Sequence, residues 1–105
     1  MSVQVVAPED ERILECIDRG LDVFGSSVKT VMYWRFRTIY NQERRDIVRK
    51  PELFSECLRT FFGERAFYVE SSIVGAIFDN LRPSNVTISD SLTRAIVEAR
   101  NQARR

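Results

Sequence analysis

The chain has 105 residues, 44% of them apolar and 30% charged, with 16 basic and 15 acidic side chains and a net charge of +1. That length suits one domain with a core of its own. The near-balance of charge gives no global attraction to nucleic acid or an anionic membrane, and the absence of histidine removes the commonest general base and metal ligand.

The charge is unevenly spread. Residues 1–28 carry six acids and two bases, whereas residues 29–50 carry seven bases and only Glu43 and Asp46 as acids. Residues 51–81 are acidic again and 82–105 are basic. Oppositely charged helices lying side by side would explain this, as would a basic patch for an acidic partner. The start, MSVQVVAPEDE, lacks the basic segment and apolar run of a secretory leader. No stretch approaches the roughly 20 apolar residues that cross a bilayer. Cys16 and Cys57 fall within apolar helical patterns and are expected as buried free thiols of a reducing compartment. A cytoplasmic protein with no membrane partner is expected.

Residues 1–7 form a short apolar lead, expected to fray or drape over the rest. Pro8 suits a first helical position, and Glu9, Asp10 and Glu11 favour the positive end of the helix dipole. Ile13, Leu14, Ile17, Leu21 and Phe24 make one stripe. Gly20 within it suggests close helix contact, and Gly25 should end the helix in a left-handed conformation. Ser26 or Ser27 could cap the second helix. Its inner face reads Val28, Val31, Met32, Phe36, Ile39 and Tyr40. Trp34 lies off that stripe at about 100° per residue, near Arg37 and Thr38, and is either covered by another part of the chain or is an exposed binding aromatic.

Residues 41–50 are too polar for a core and are expected as a loop, anchored by Ile47 and Val48. Pro51 and Glu52 open a third helix, with Phe54, Cys57, Leu58, Phe61 and Phe62 inward and Gly63 as its end. The fourth helix, about 64–81, carries Ala66, Val69, Ile73, Ala76, Ile77 and Leu81, widened by Phe67, Val74 and Phe78. Glu70 lies inside that stripe and needs a partner; an arginine or a helix end is expected rather than a catalytic role. Gly75 suggests a second close approach. After the breaker segment at 82–89, Thr87, Ser89 and Asp90 offer caps to a last helix. Its stripe is Leu92, Ala95, Ile96, Ala99 and Ala103, and Arg94, Arg100, Arg104 and Arg105 make it basic.

The expected fold is all-α: a compact bundle of four helices near 9–24, 27–40, 51–62 and 64–81, plus a C-terminal amphipathic helix near 89–103. Residues 1–81 would form the bundle domain and 82–105 a linker with that last helix. The core is expected from Leu14, Ile17, Leu21, Val28, Met32, Phe54, Leu58, Phe61, Val69, Ile73 and Ile77. Four helices can enclose a core, so the fifth is expected to dock near Trp34, within one chain or across a homodimer.

Three pieces of residues 24–81 carry a resemblance: Phe24-Gly25-Ser26-Ser27-Val28-Lys29, then Asp46-Ile47 with Pro51-Glu52-Leu53-Phe54, and Phe62-Gly63-Glu64-Arg65-Ala66 with Glu70 a turn later. They resemble a small archaeal helical domain of unknown function, the Nitrosopumilus output domain type five family. The resemblance implies a helical bundle in an archaeal intracellular protein with an output or interaction role, and it brings no catalytic residues. The chain departs from that pattern beyond Leu81 and at Trp34-Arg35.

The four glycines are isolated and make no phosphate loop. Two distant cysteines without histidine cannot build a standard zinc site. Asp18 and Asp22, spaced four apart, are expected on a solvated surface. The expectation is a non-enzymatic protein-interaction or signalling output module with no cofactor. The alternative is a nucleic-acid-binding domain using residues 29–50, the C-terminal arginines and the aromatics Tyr33, Trp34 and Tyr40, on which bases could stack. The candidate partner-binding residues are Trp34, Arg37, Arg44, Arg45, Leu92 and Ile96.

Overall fold

The computed structural model describes residues 6–103. Most of the expected N-terminal lead and the terminal Arg104 and Arg105 therefore lie outside the described residues. Within them the chain is all-α: α1 (Pro8–Asp22), α2 (Ser26–Tyr40), α3 (Pro51–Phe62), α4 (Ala66–Leu81) and α5 (Leu92–Ala103). Two 3-10 turns, Arg44–Val48 and Gly63–Arg65, lie before α3 and α4. No strand occurs among the described residues.

The central pair is α1 with α4. The apolar stripe of α1 buries Ile13, Leu14, Cys16, Ile17 and Leu21, and α4 answers with Ala66, Val69, Ile73, Val74 and Ile77. They meet at Gly20, where an added Cβ would stand 2.5 Å from the Ile73 Cα. Ser72 Oγ seals the crossing by donating to the Gly20 carbonyl at 2.9 Å. The close approach expected at Gly20 is thus present. The one expected at Gly75 is not, since nothing stands within 4 Å of a Cβ there.

Helix boundaries follow local chemistry, with some corrections. Helix α1 stops at Asp22, and Phe24, expected in its buried stripe, sits in the following turn at 39% exposure. Gly25 has φ 108° and ψ 145°, so its φ is positive as expected, but its conformation is the extended mirror region and not the left-handed helical one. Gly25 itself is the N-cap of α2, and the expected serine cap is absent because Ser26 and Ser27 already lie in the helix. Helix α5 starts later than expected. Ser91 Oγ accepts from the Arg94 amide at 3.1 Å, while Thr87 and Asp90 close a separate turn upstream, with the Thr87 amide donating to Asp90 Oδ2 at 2.7 Å.

Helix α5 completes the core. Leu92, Ala95, Ile96 and Ala99 are buried in the same cluster as the residues of α1, α3 and α4. Val86, from the connection, joins them. No separate core therefore ends at Leu81. Arg100 fastens the C-terminal end of α5 to the start of α1 through Asp10 at 3.2 Å, with both side chains largely buried. Helix α5 packs on α1, α3 and α4 and touches α2 nowhere, so within one chain it does not cover Trp34.

Two further expected core positions differ. Val28 is only partly buried, and Phe61 is 42% exposed. Phe61 lies in the last turn of α3 and is left half-open, whereas its neighbour Phe62 packs against the core. Ile47 and Val48 anchor the 41–50 connection as expected, at 0% and 3% exposure.

Candidate functional site

Helix α2 stands at the edge of the molecule. It touches α1, α3 and the Arg44–Val48 turn. Only Met32 and Phe36 of its 15 residues are buried, with Phe36 edge-on to Phe54 at 5.3 Å between ring centroids. Val28, Tyr33 and Tyr40 pack partly against the core, and the remaining apolar surface is left open. Val31 and Ile39, expected on the inner face, are exposed, and Trp34 is 61% exposed. Val31, Trp34, Arg35 and Thr38 follow i, i+3, i+4, i+7 spacing and therefore share one flank. Ile39, four residues after Arg35, extends it.

Arg35 joins that flank to α3. Its guanidinium carbon lies 4.9 Å from the Phe61 ring centroid, a cation–π distance. Its Nε is buried with no hydrogen-bond partner. Among the described residues it belongs to none of the ion pairs. Helix α2 carries Lys29, Arg35 and Arg37 and no acid.

The other bases of residues 29–50 divide sharply. Arg44 bridges the first 3-10 turn to α1, with Asp18 at 2.7 Å and Glu11 at 3.3 Å. Tyr33 donates to the same Asp18 at 2.5 Å. Burial pushes the Tyr33 phenol well above its usual range, and the Asp18 hydrogen bond adds to it. Burial works against the Arg44 cation, yet its bonds to Asp18 and Glu11 hold its pKa above the ordinary value. Asp18, expected on a solvated surface, is the hinge of this network. Lys29 pairs with Asp22 at 3.1 Å and Arg37 with Glu43 at 3.8 Å.

No protein-family model, curated protein or solved structure matches this chain.

The six candidate positions thus fare differently. Trp34 and Arg37 are exposed on α2. Arg45 is half-buried and forms no ion pair among the described residues. Arg44 is held by its own chain. Leu92 and Ile96 are buried at 1% and 0% exposure and offer nothing to a partner; the stripe expected to meet a second copy is core. Sequence reasoning missed Val31, Ile39 and Phe61 as surface residues. The signal was there for α2: its apolar side chains, Trp34 included, spread over roughly three quarters of the helix wheel, more than two neighbouring helices can cover.

A concavity of about 370 Å³ lies between α4 and the connection before α5, with Phe67, Glu70, Val74, Ile88 and Leu92 in its lining. Glu70 finds its partner there, accepting from the Ser55 hydroxyl and not from the arginine or helix end expected. Ser55 is 5% exposed, too enclosed to serve as a nucleophile. Burial raises the pKa of both Cys16 and Cys57, which keeps them as protonated, unreactive thiols. Among the described residues no three His, Cys, Asp or Glu side chains gather as a metal site requires. No described helix is long and apolar enough to cross a membrane.

Proposed function

We propose that this chain is a non-enzymatic protein-interaction module, and that the outer flank of α2 is its docking face. The observation that carries this reading is the exposed stripe of Val31, Trp34 and Ile39 on a helix that buries only two side chains. An exposed tryptophan flanked by aliphatics and arginine has the composition of an interface centre. The resemblance of residues 24–81 to the archaeal output-domain family agrees with such a role, and buried free cysteines suit a reducing cytoplasm. Nucleic-acid binding is less well supported, because three of the seven bases at 29–50 are already matched by acids of the same chain.

The test is a photo-crosslinking residue in place of Trp34, expressed in native cells, beside the same residue in place of the exposed Arg82. Protein adducts formed at 34 and absent at 82 are expected. Adducts to nucleic acid alone, or none at 34, would refute the reading. Steeply salt-dependent binding of the purified chain to single-stranded DNA would favour the alternative.

A further inference from the structure

We infer that the partner of the α2 flank is an acidic amphipathic helix, an inference that rests on the docking role proposed for that face. Three observations converge on this partner. The first is shape. Val31, Trp34, Arg35 and Thr38 span two helical turns in a single row, and an incoming helix presents its own anchors at the same i, i+3, i+4, i+7 spacing. The second is charge. Helix α2 carries no acid, and of its three bases Lys29 and Arg37 already pair with Asp22 and Glu43, so Arg35 is the base left for a carboxylate, which meets no repulsion from the helix it lies on. The third is Arg35 itself. Its guanidinium carbon lies 4.9 Å from the Phe61 ring centroid and no acid of the described chain pairs with it; its Nε is enclosed, which leaves the terminal nitrogens to meet a partner. A guanidinium set beside a ring and unpaired by its own chain can receive a carboxylate through its two terminal nitrogens.

The apolar anchors favour a peptide over a nucleic-acid strand. Val31 and Ile39 offer aliphatic surface that a partner leucine or phenylalanine would cover, whereas a strand would need a track of cations along the flank. Only Arg35 and Arg37 lie near Trp34 on α2, and Arg37 is engaged by Glu43.

The experiment displays a library of helices of about four turns on phage and selects it on the intact chain. Leucines are fixed along one face, and the flanking positions are drawn from Asp, Glu, Ser, Gln, Lys and Arg. Enriched sequences should be acidic beside the leucine row. A synthetic peptide of the winning sequence should perturb Trp34 fluorescence and lose about tenfold or more in affinity on Trp34→Ala and on Arg35→Gln, with both variants melting cooperatively. Should either variant fail to fold, Val31→Ser and Thr38→Arg supply the same readout from the same flank. Winners that are neutral or basic but still depend on Trp34 overturn the acidic partner and leave the docking face standing. Winners indifferent to Trp34, or no enrichment, overturn both. An oligo-dT strand that displaces the acidic peptide and binds more tightly at low salt overturns the inference in favour of nucleic acid.

Discussion

Phe54 and Phe61 lie on the same face of the same helix and have opposite fates. Phe54 is fully buried between Phe36 and Tyr33, so Phe54→Ala should cost about 3–5 kcal/mol in a denaturant titration. Phe61 keeps 42% of its surface, and its best contact is the Arg35 guanidinium, a pairing worth about 0.5–1 kcal/mol at exposed sites. Phe61→Ala should therefore cost about 1 kcal/mol; a loss like that of Phe54 would show that the ring is enclosed. Tyr33 gives a second residue-scale expectation. Its folded pKa is raised, so the unfolded chain gives up the phenol proton first as pH passes the ordinary value of about 10. The unfolded state then binds fewer protons, and stability falls with rising pH. The contribution is complete below that point and is lost above it. Cys16 and Cys57 act in the same direction from about pH 8.5. Melting temperatures taken from neutral to strongly alkaline pH should fall less steeply for Tyr33→Phe than for the parent. Parallel curves would mean that Tyr33 is not a source of the dependence.

At the scale of elements, two helical glycines make a matched comparison. Alanine at position 20 would drive its Cβ into the backbone of Ile73, at 2.5 Å from Cα and 2.8 Å from N. Backbone cannot swing aside, so Gly20→Ala should destabilise by about 1–3 kcal/mol despite its better helix propensity. Position 75 has open space, and Gly75→Ala should stabilise by up to about 1 kcal/mol. Equal effects in thermal melts would contradict the packing of α1 on α4. The sequence displayed the helices themselves plainly: prolines at 8 and 51, the stripes of α1 and α4, and the breaker after Leu81. It concealed which stripes had neighbours. Periodicity marks Val31 and Ile39 as apolar positions of a helix, but only tertiary placement shows that α2 lies at an edge. Gly20 and Gly75 looked alike for the same reason. Glu70 could be recognised as a carboxylate inside an apolar stripe, while its partner Ser55 lies on another helix and bears no charge to advertise it.

For the molecule as a whole, the last helix belongs to the single core. Removing residues 82–105 would strip Val86, Leu92, Ala95, Ile96 and Ala99 from the cluster and take Arg100 away from Asp10. The shortened chain should lose its cooperative melt altogether in calorimetry. A sharp transition close to that of the full chain would show that α1–α4 suffice. Trp34 should be open to soluble quenchers in the intact protein, since α5 does not reach α2. The basic and acidic segments apparent in the sequence do meet in space, but at a few points, Arg44 against Glu11 and Asp18, Lys29 against Asp22 and Arg100 against Asp10, and not through helix faces zipped along their length.

The crossing at Gly20 also bears on how quickly the chain can find its shape. Ser72 and Gly20, which touch there, are separated by 52 positions along the chain, with α2, α3 and both 3-10 turns strung between them. A helical protein assembled from consecutive hairpins gains its burial from near neighbours as it goes. Here the tightest helix pair forms only when a large loop closes, and the entropy of that closure is spent before the burial is gained. Folding should accordingly be slow for an all-helical chain of this size, with α2, the least buried helix, free to settle after the barrier is crossed.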